Sequence, residues 1–163
     1  MSIIINPKIN PQQILQETLS LGLTPCVDAV LVNDRNQIFI QKRSGTRRLF
    51  PNCWEFIGGH VDEGEELIPA LAREVLEELN LELTEIIDFV DYFDWESGTQ
   101  KYRNMQFLAK AKGVVVLELD KSVEGKWIDE SEVDLLLQNR TAGDDSNYQI
   151  AKKTFGIINN SKL

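Results

Sequence analysis

The sequence predicts a mixed α/β sandwich, and three observations carry that reading. Strand-like segments come first, one strongly helical segment follows, more strands come next, and helices close the chain. The regular strand–helix–strand alternation of a doubly wound fold is missing. At 163 residues, the length suits one domain covering 1–163.

Residues 11–21 (PQQILQETLSL) read as a short helix in an N-terminal extension over 1–22, with Pro11 tolerated in its first turn. Cys26–Val32 is strand-like, and 37–42 (QIFIQK) alternates apolar with polar residues. With Asn33–Asn36 as a turn between them, 26–42 reads as a hairpin. Residues 44–52 (SGTRRLFPN) form a loop by their turn residues, and Lys42, Arg43, Arg47 and Arg48 make this the basic part of the chain. Trp54–Ile57 is a short apolar strand running into Gly58-Gly59. Segment 66–79 has the clearest helical period, and Pro69 must fall in its first turn. Residues 81–95 and 101–112 read as two strands around Glu96-Ser-Gly98, 114–119 as a third and 126–128 as a short fourth. Residues 131–137 and 147–158 read as helices.

Charge narrows the function classes. The formal net charge is −9, from 17 basic and 26 acidic residues. Most of the excess lies in 62–78, where Asp62, Glu63, Glu65, Glu66, Glu74, Glu77 and Glu78 face a single base, Arg73. An acidic chain is poorly suited to gripping duplex nucleic acid, which needs a basic face. No apolar run approaches the ~20 residues of a membrane span, and the start lacks the basic region of a signal peptide, so the expectation is a cytoplasmic protein. Cys26 and Cys53 fit neither a disulfide framework nor a zinc spacing and read as buried thiols.

On a helical wheel, Glu74, Glu77 and Glu78 share one face of the central helix, while Ile68, Leu71, Ala72, Val75, Leu76 and Leu79 form the apolar stripe. Three carboxylates at i, i+3 and i+4 repel one another, and a sequence selected only to fold would intersperse lysine. A solvated acidic face is the plain reading. Against it stand the lack of a base near Glu74 and Glu78 and the Gly58-Gly59 pair upstream, where backbone carbonyls can approach an ion. Hard divalent cations take such oxygen clusters, and Mg²⁺ uses one or two carboxylates plus substrate phosphates.

Read as a string, the region is Gly59, five residues, Glu65, seven residues, then Arg73-Glu74-Val75-Leu76-Glu77-Glu78-Leu79-Asn80-Leu81. This resembles the Nudix box over 59–81, departing from it only where Asn80 replaces the last glycine. Asn is the usual second choice for the left-handed turn after a helix. The preceding Trp54-Glu-Phe-Ile-Gly-Gly is similar to the lead-in of many family members. The resemblance implies an α/β/α sandwich with a mixed sheet between helices. It further implies hydrolysis of a nucleoside diphosphate linked to another moiety, with Mg²⁺ or Mn²⁺ as cofactor. Glu77 and Glu78 match the metal-binding carboxylates, Glu74 matches one that binds metal or acts as base, and a carbonyl of Gly58 or Gly59 is a further ligand candidate. Glu65 and Arg73 match a pair that ties loop to helix.

Other assignments stay open at this level. The base is Glu74 or a distal acid, Glu118, Asp120 or Glu124. Arg43, Arg47 and Arg48 are candidates for holding substrate phosphates, the alternative being an exposed turn. Trp54 is a candidate for base stacking, with a core role as the alternative. His60 reads as a surface loop residue, and Tyr92, Phe93 and Trp95 either line the site or pack in the sheet. The expected partner is a small phosphorylated substrate, with a homodimer common among relatives and no membrane or duplex nucleic acid expected. Two competing functions are a binding or regulatory module of the same fold and an isomerase of isopentenyl diphosphate. The isomerase would need a cysteine near Gly58, and Cys53 lies five residues too early.

Overall fold

A computed structural model describes residues 2–161. The elements run β1 (Ile4–Ile5), α1 (Pro11–Ser20), β2 (Thr24–Leu31), β3 (Ile38–Arg43), β4 (Trp54–Glu55), β5 (Ile57–His60), α2 (Leu67–Leu79), β6 (Glu82–Ser97), β7 (Gln100–Lys112), β8 (Ser122–Ile128), a 3₁₀ helix (Glu130–Leu137) and α3 (Ser146–Ser161). One sheet has the order β1-β6-β7-β2-β5 and a second the order β4-β3-β8. The first sheet is mixed: β1–β6 and β2–β7 are parallel, β6–β7 and β2–β5 antiparallel.

Period-two alternation divides β2 and β7 between two cores. Val27, Ala29 and Leu31 of β2 and Met105, Phe107 and Ala109 of β7 pack with Leu71, Val75 and Leu79 of α2. On the other face, Val30 and Leu108 pack with Ile150, Phe155 and Ile158 of α3. The sheet therefore lies between helices, an α/β/α sandwich. Burial on both faces explains why Cys26–Val32 reads as a nearly continuous apolar run.

The two sheets correct the expected hairpin over 26–42. After a single antiparallel bridge, Val32 to Ile38, the chain diverges: β2 pairs with β5 and β7, and β3 with β4 and β8. The expected strand 114–119 is not one. Its Val116 and Glu118 amides instead donate to the Leu79 and Glu78 carbonyls at the end of α2, at 2.9 and 3.1 Å. Those carbonyls have no partner within the helix, so the loop serves as their cap. Trp54–Ile57 divides between β4 and β5, and therefore between the sheets. The 131–137 segment is 3₁₀ rather than α, and β1 was not anticipated. Asn80 closes α2 at φ 57°, the left-handed conformation argued for it from sequence.

Candidate active site

The site forms where α2 meets the free edge of the larger sheet. Strand β5 is an edge, and the Gly58 N–H donates to Glu78 Oε2 at 3.2 Å. From the second sheet, Gln41 Nε2 of β3 donates to the same oxygen at 3.0 Å. Glu74 and Glu78 are 8% and 7% exposed, so the helix presses two carboxylates against a backbone edge. The glycines make room: a Cβ on Gly59 would stand 2.6 Å from Glu74 Oε1, and one on Gly58 would overlap the Val27 carbonyl.

These carboxylates border a cleft of about 740 Å³. One wall is the face of the large sheet, where strand pairing aligns Phe93, Asn104, Cys26 and His60 in one row and Gln106, Asp28 and Gly58 in the next. Arg43, Arg47, Phe50 and Glu55 also line the cleft, as do Arg140 and the start of α3.

Electrostatics separates the acids. Burial, then the nearby charges of Glu55 and Glu74, push Glu78 up to about 8, against the lowering effect of its two hydrogen bonds. Burial lifts Asp28 to about 7 although Asn104 and Gln106 both donate to it. Burial also raises Glu55, offset by Arg43, which pairs with it at 3.0 Å. Cys26 is pushed up to about 12 by burial and by Asp28 and Glu74, so it stays a thiol. Arg73 gathers the loop acids: its Nε and Nη2 donate to the two oxygens of Glu65 at 3.0 and 2.9 Å, and its Nη1 to Glu74 at 2.7 Å.

The NUDIX domain family matches residues 22–150. The chain belongs to the Nudix family. An uncharacterised Nudix hydrolase of Nostoc sp. is 45% identical over 58 residues, 35% of this chain and 34% of that protein. An m7GpppN-mRNA hydrolase of Danio rerio is 40% identical over 68 residues, 42% of this chain and 23% of that protein. The chain thus aligns with about a third or less of the length of these relatives. A MutT protein structure from Methanosarcina mazei superposes with a TM-score of 0.69 at 19% identity, covering 83% of this chain and 94% of that one, which shows the shared fold.

Within the Nudix box, Glu74 and Glu78 reach the cleft, while Glu77 is half exposed outside its lining, 3.7 Å from Arg73. Of the basic loop, Arg47 lines the cleft, Arg43 lines it while tied to Glu55, and Arg48 is exposed away from it. For Trp54 the structure selects the core alternative over base stacking: it is 4% exposed within the α3-side core and does not line the cleft. The hydrophobic burial of a large ring on a two-residue strand at a sheet junction decides its place. Phe93, Trp95 and His60 line the cleft, whereas Tyr92 does not. Glu118, Asp120 and Glu124 all lie outside the lining, though Glu118 pairs at 3.1 Å with Lys121, which is on it.

Asp28, Glu55, Asn104, Lys121 and Arg140 went unassigned from sequence. The available signal was a lone acid inside an apolar strand, at Asp28 in CVDAVLV and Glu55 in WEFI, since such acids are seldom buried without a partner.

Proposed function

We infer that the chain is a metal-dependent pyrophosphohydrolase acting on a nucleoside diphosphate linked to another moiety. The observation that carries this reading is the pair Glu74 and Glu78, buried at a cleft floor against the Gly58-Gly59 edge. Both hydrogen bonds recorded for Glu78 go to Oε2. Glu74 has Arg73 on one oxygen, whereas Glu78 beside it is held out of water with an amide and a backbone N–H alone, which calls for a further cation, and the space beside Gly59 that a Cβ would fill suits one. Among the described residues, no three acid, histidine or cysteine side chains already converge as a coordination sphere. The fit is therefore of two carboxylates, a glycine carbonyl and substrate oxygens, which is how Mg²⁺ or Mn²⁺ is commonly held. Glu77, half exposed beside Arg73, would be a further carboxylate for the ion.

When bound there by Glu74, Glu78 and a glycine carbonyl, a divalent ion would supply charge neutralisation of the pyrophosphate and a lowered pKa for the attacking water. The protein supplies the rest. Arg73 holds Glu74 through a guanidinium that also clamps Glu65. Arg47 and Lys121 offer positive charge to phosphate oxygens from other parts of the cleft. Glu74 is the base we favour, since it lies on the lining and the distal acids do not. Free Cys26 and Cys53 suit a reducing cytoplasmic setting.

The test is a panel of nucleoside triphosphates, sugar nucleotides, dinucleoside polyphosphates, NADH and capped RNA, each with Mg²⁺ and with Mn²⁺. Cleavage of at least one with phosphate release is expected. No cleavage of any would favour a binding module.

A further inference from the structure

We propose that Asp28 and Asn104 are positioning residues that fix the indole of Trp95 at the cleft mouth. There Trp95 and Phe50 receive the flat heteroaromatic ring of a nucleoside diphosphate derivative. The proposal rests on the hydrolase reading of the cleft and names the part of the substrate that the carboxylates do not touch.

Trp95 on β6 sits opposite Tyr102 on β7, and their rings stack at 4.1 Å and 12°. Phe50 meets Trp95 edge-on at 5.6 Å and 74°. Trp95 and Phe50 both line the cleft and are only half-buried. Phe50 has φ 51°, a region that non-glycine residues seldom occupy, so the loop holds this ring in place against local preference.

A continuous hydrogen-bond chain runs inward from the indole. Trp95 Nε1 donates to Asn104 Oδ1 at 2.6 Å, and Asn104 Nδ2 donates to Asp28 Oδ2 at 2.7 Å. Gln106 Nε2 donates to that same oxygen at 2.5 Å. The outer end sets the direction of the chain. An indole N–H can only donate, so Asn104 must turn its oxygen outward and its NH₂ inward, where only an acceptor can terminate the chain. Asp28 is that acceptor, 8% exposed and fixed by a buried amide. Each end of the Asn104 amide makes one bond within the protein, to Trp95 and to Asp28, and through the first it acts on Trp95. The wall therefore presents ring faces and edges. Stacking on such a platform tolerates any base, because every base has a π-face.

The experiment measures calorimetric binding of ADP, GDP, CDP and UDP in Mg²⁺, with inorganic pyrophosphate as the ring-free probe. Wild type is expected to bind each nucleotide about tenfold or more tighter than pyrophosphate, the scale of one stacked base. Trp95→Ala and Asn104→Leu should bring nucleotides to within about twofold of pyrophosphate while pyrophosphate affinity holds. Asp28→Asn should keep the difference, because an amide oxygen still accepts from both Asn104 and Gln106; Asp28→Leu should lose it. If Asp28→Leu fails to fold, Trp95→Phe, which keeps a ring and severs the chain, must lose part of the difference. The proposal is overturned if Asn104→Leu retains the nucleotide preference, or loses nucleotide and pyrophosphate affinity alike. A protein that shows the ring preference yet hydrolyses nothing on the panel would sink the hydrolase reading instead.

Discussion

Asp28 and Glu78 are both buried carboxylates on the cleft, yet their surroundings differ in kind. Asp28 faces two side-chain amides that it terminates, with its nearest structural role in a closed hydrogen-bond chain. Glu78 faces one side-chain amide and one backbone N–H, and lies one helical turn from Glu74 on α2; the charges of Glu55 and Glu74 raise both acids, Asp28 and Glu78. A buried acid held by two side-chain amides is a fixed structural part. A buried acid set beside a second carboxylate of its own helix and a glycine backbone edge is half of a site, completed by a cation.

The largest expected effect separates the two residues directly. Glu78→Gln keeps the shape and removes a ligand, so metal-dependent turnover should fall by more than the roughly 10–100-fold that losing an outer partner costs. Asp28→Asn should stay within a few-fold of wild type, because its hydrogen bonds survive. Equal losses in steady-state assays would break the comparison. Arg73→Ala comes next. It removes the guanidinium shared by Glu65 and Glu74, and the Mg²⁺ concentration for half-maximal rate should rise about tenfold or more.

Acidity sharpens the contrast further. Both carboxyls are raised above their ordinary values, Asp28 from 3.8 to about 7 and Glu78 from 4.5 to about 8. The metal-free folded state therefore holds more protons than the unfolded chain in that window. The stability this brings is complete at pH below the ordinary values and is lost as pH rises through about 7 to 8. Thermal melts should show a falling Tm from pH 5 to 8 without metal, and a Mg²⁺-induced rise in Tm that grows with pH. Glu78→Gln should abolish the Mg²⁺-dependent part, and Asp28→Asn should flatten only the metal-independent part. The smallest effect sets the background. Asn80→Gly eases the left-handed end of α2 without touching a carboxylate, so chemical denaturation should show a gain below ~1 kcal/mol, with unchanged metal dependence.

Legibility in the sequence follows the same division. The α2 edge could be read because its residues lie within one helix, where a 3.6-residue period and fixed spacing place Glu74 and Glu78 together. The opposite wall could not. Asn104 and Gln106 stand 76 and 78 residues from Asp28 and meet it only through the pairing of β2 with β7. Strand-like composition identified β2 and alternation β3, but neither carries information about which partner each takes, hence the false hairpin. Residues 114–119 have strand composition, but their amides are claimed by the end of α2, a tertiary demand invisible in a local window. Trp54 was an aromatic beside a motif, and only the packing showed which side of the sheet it faces.

The parallel pairing of β2 with β7 also bears on the order in which the molecule assembles. The β6–β7 hairpin closes over two residues, between Ser97 and Gln100, and is a local event. Bringing β2 alongside means closing a loop from Asp28 to Gln106, whose entropy must be met before any contact rewards it. Trp95 and Tyr102 belong to the early hairpin, and Asp28 to the late strand. The aromatic platform can thus exist before its anchor, and the indole is locked only when β2 docks, making Trp95 a natural reporter of that pairing.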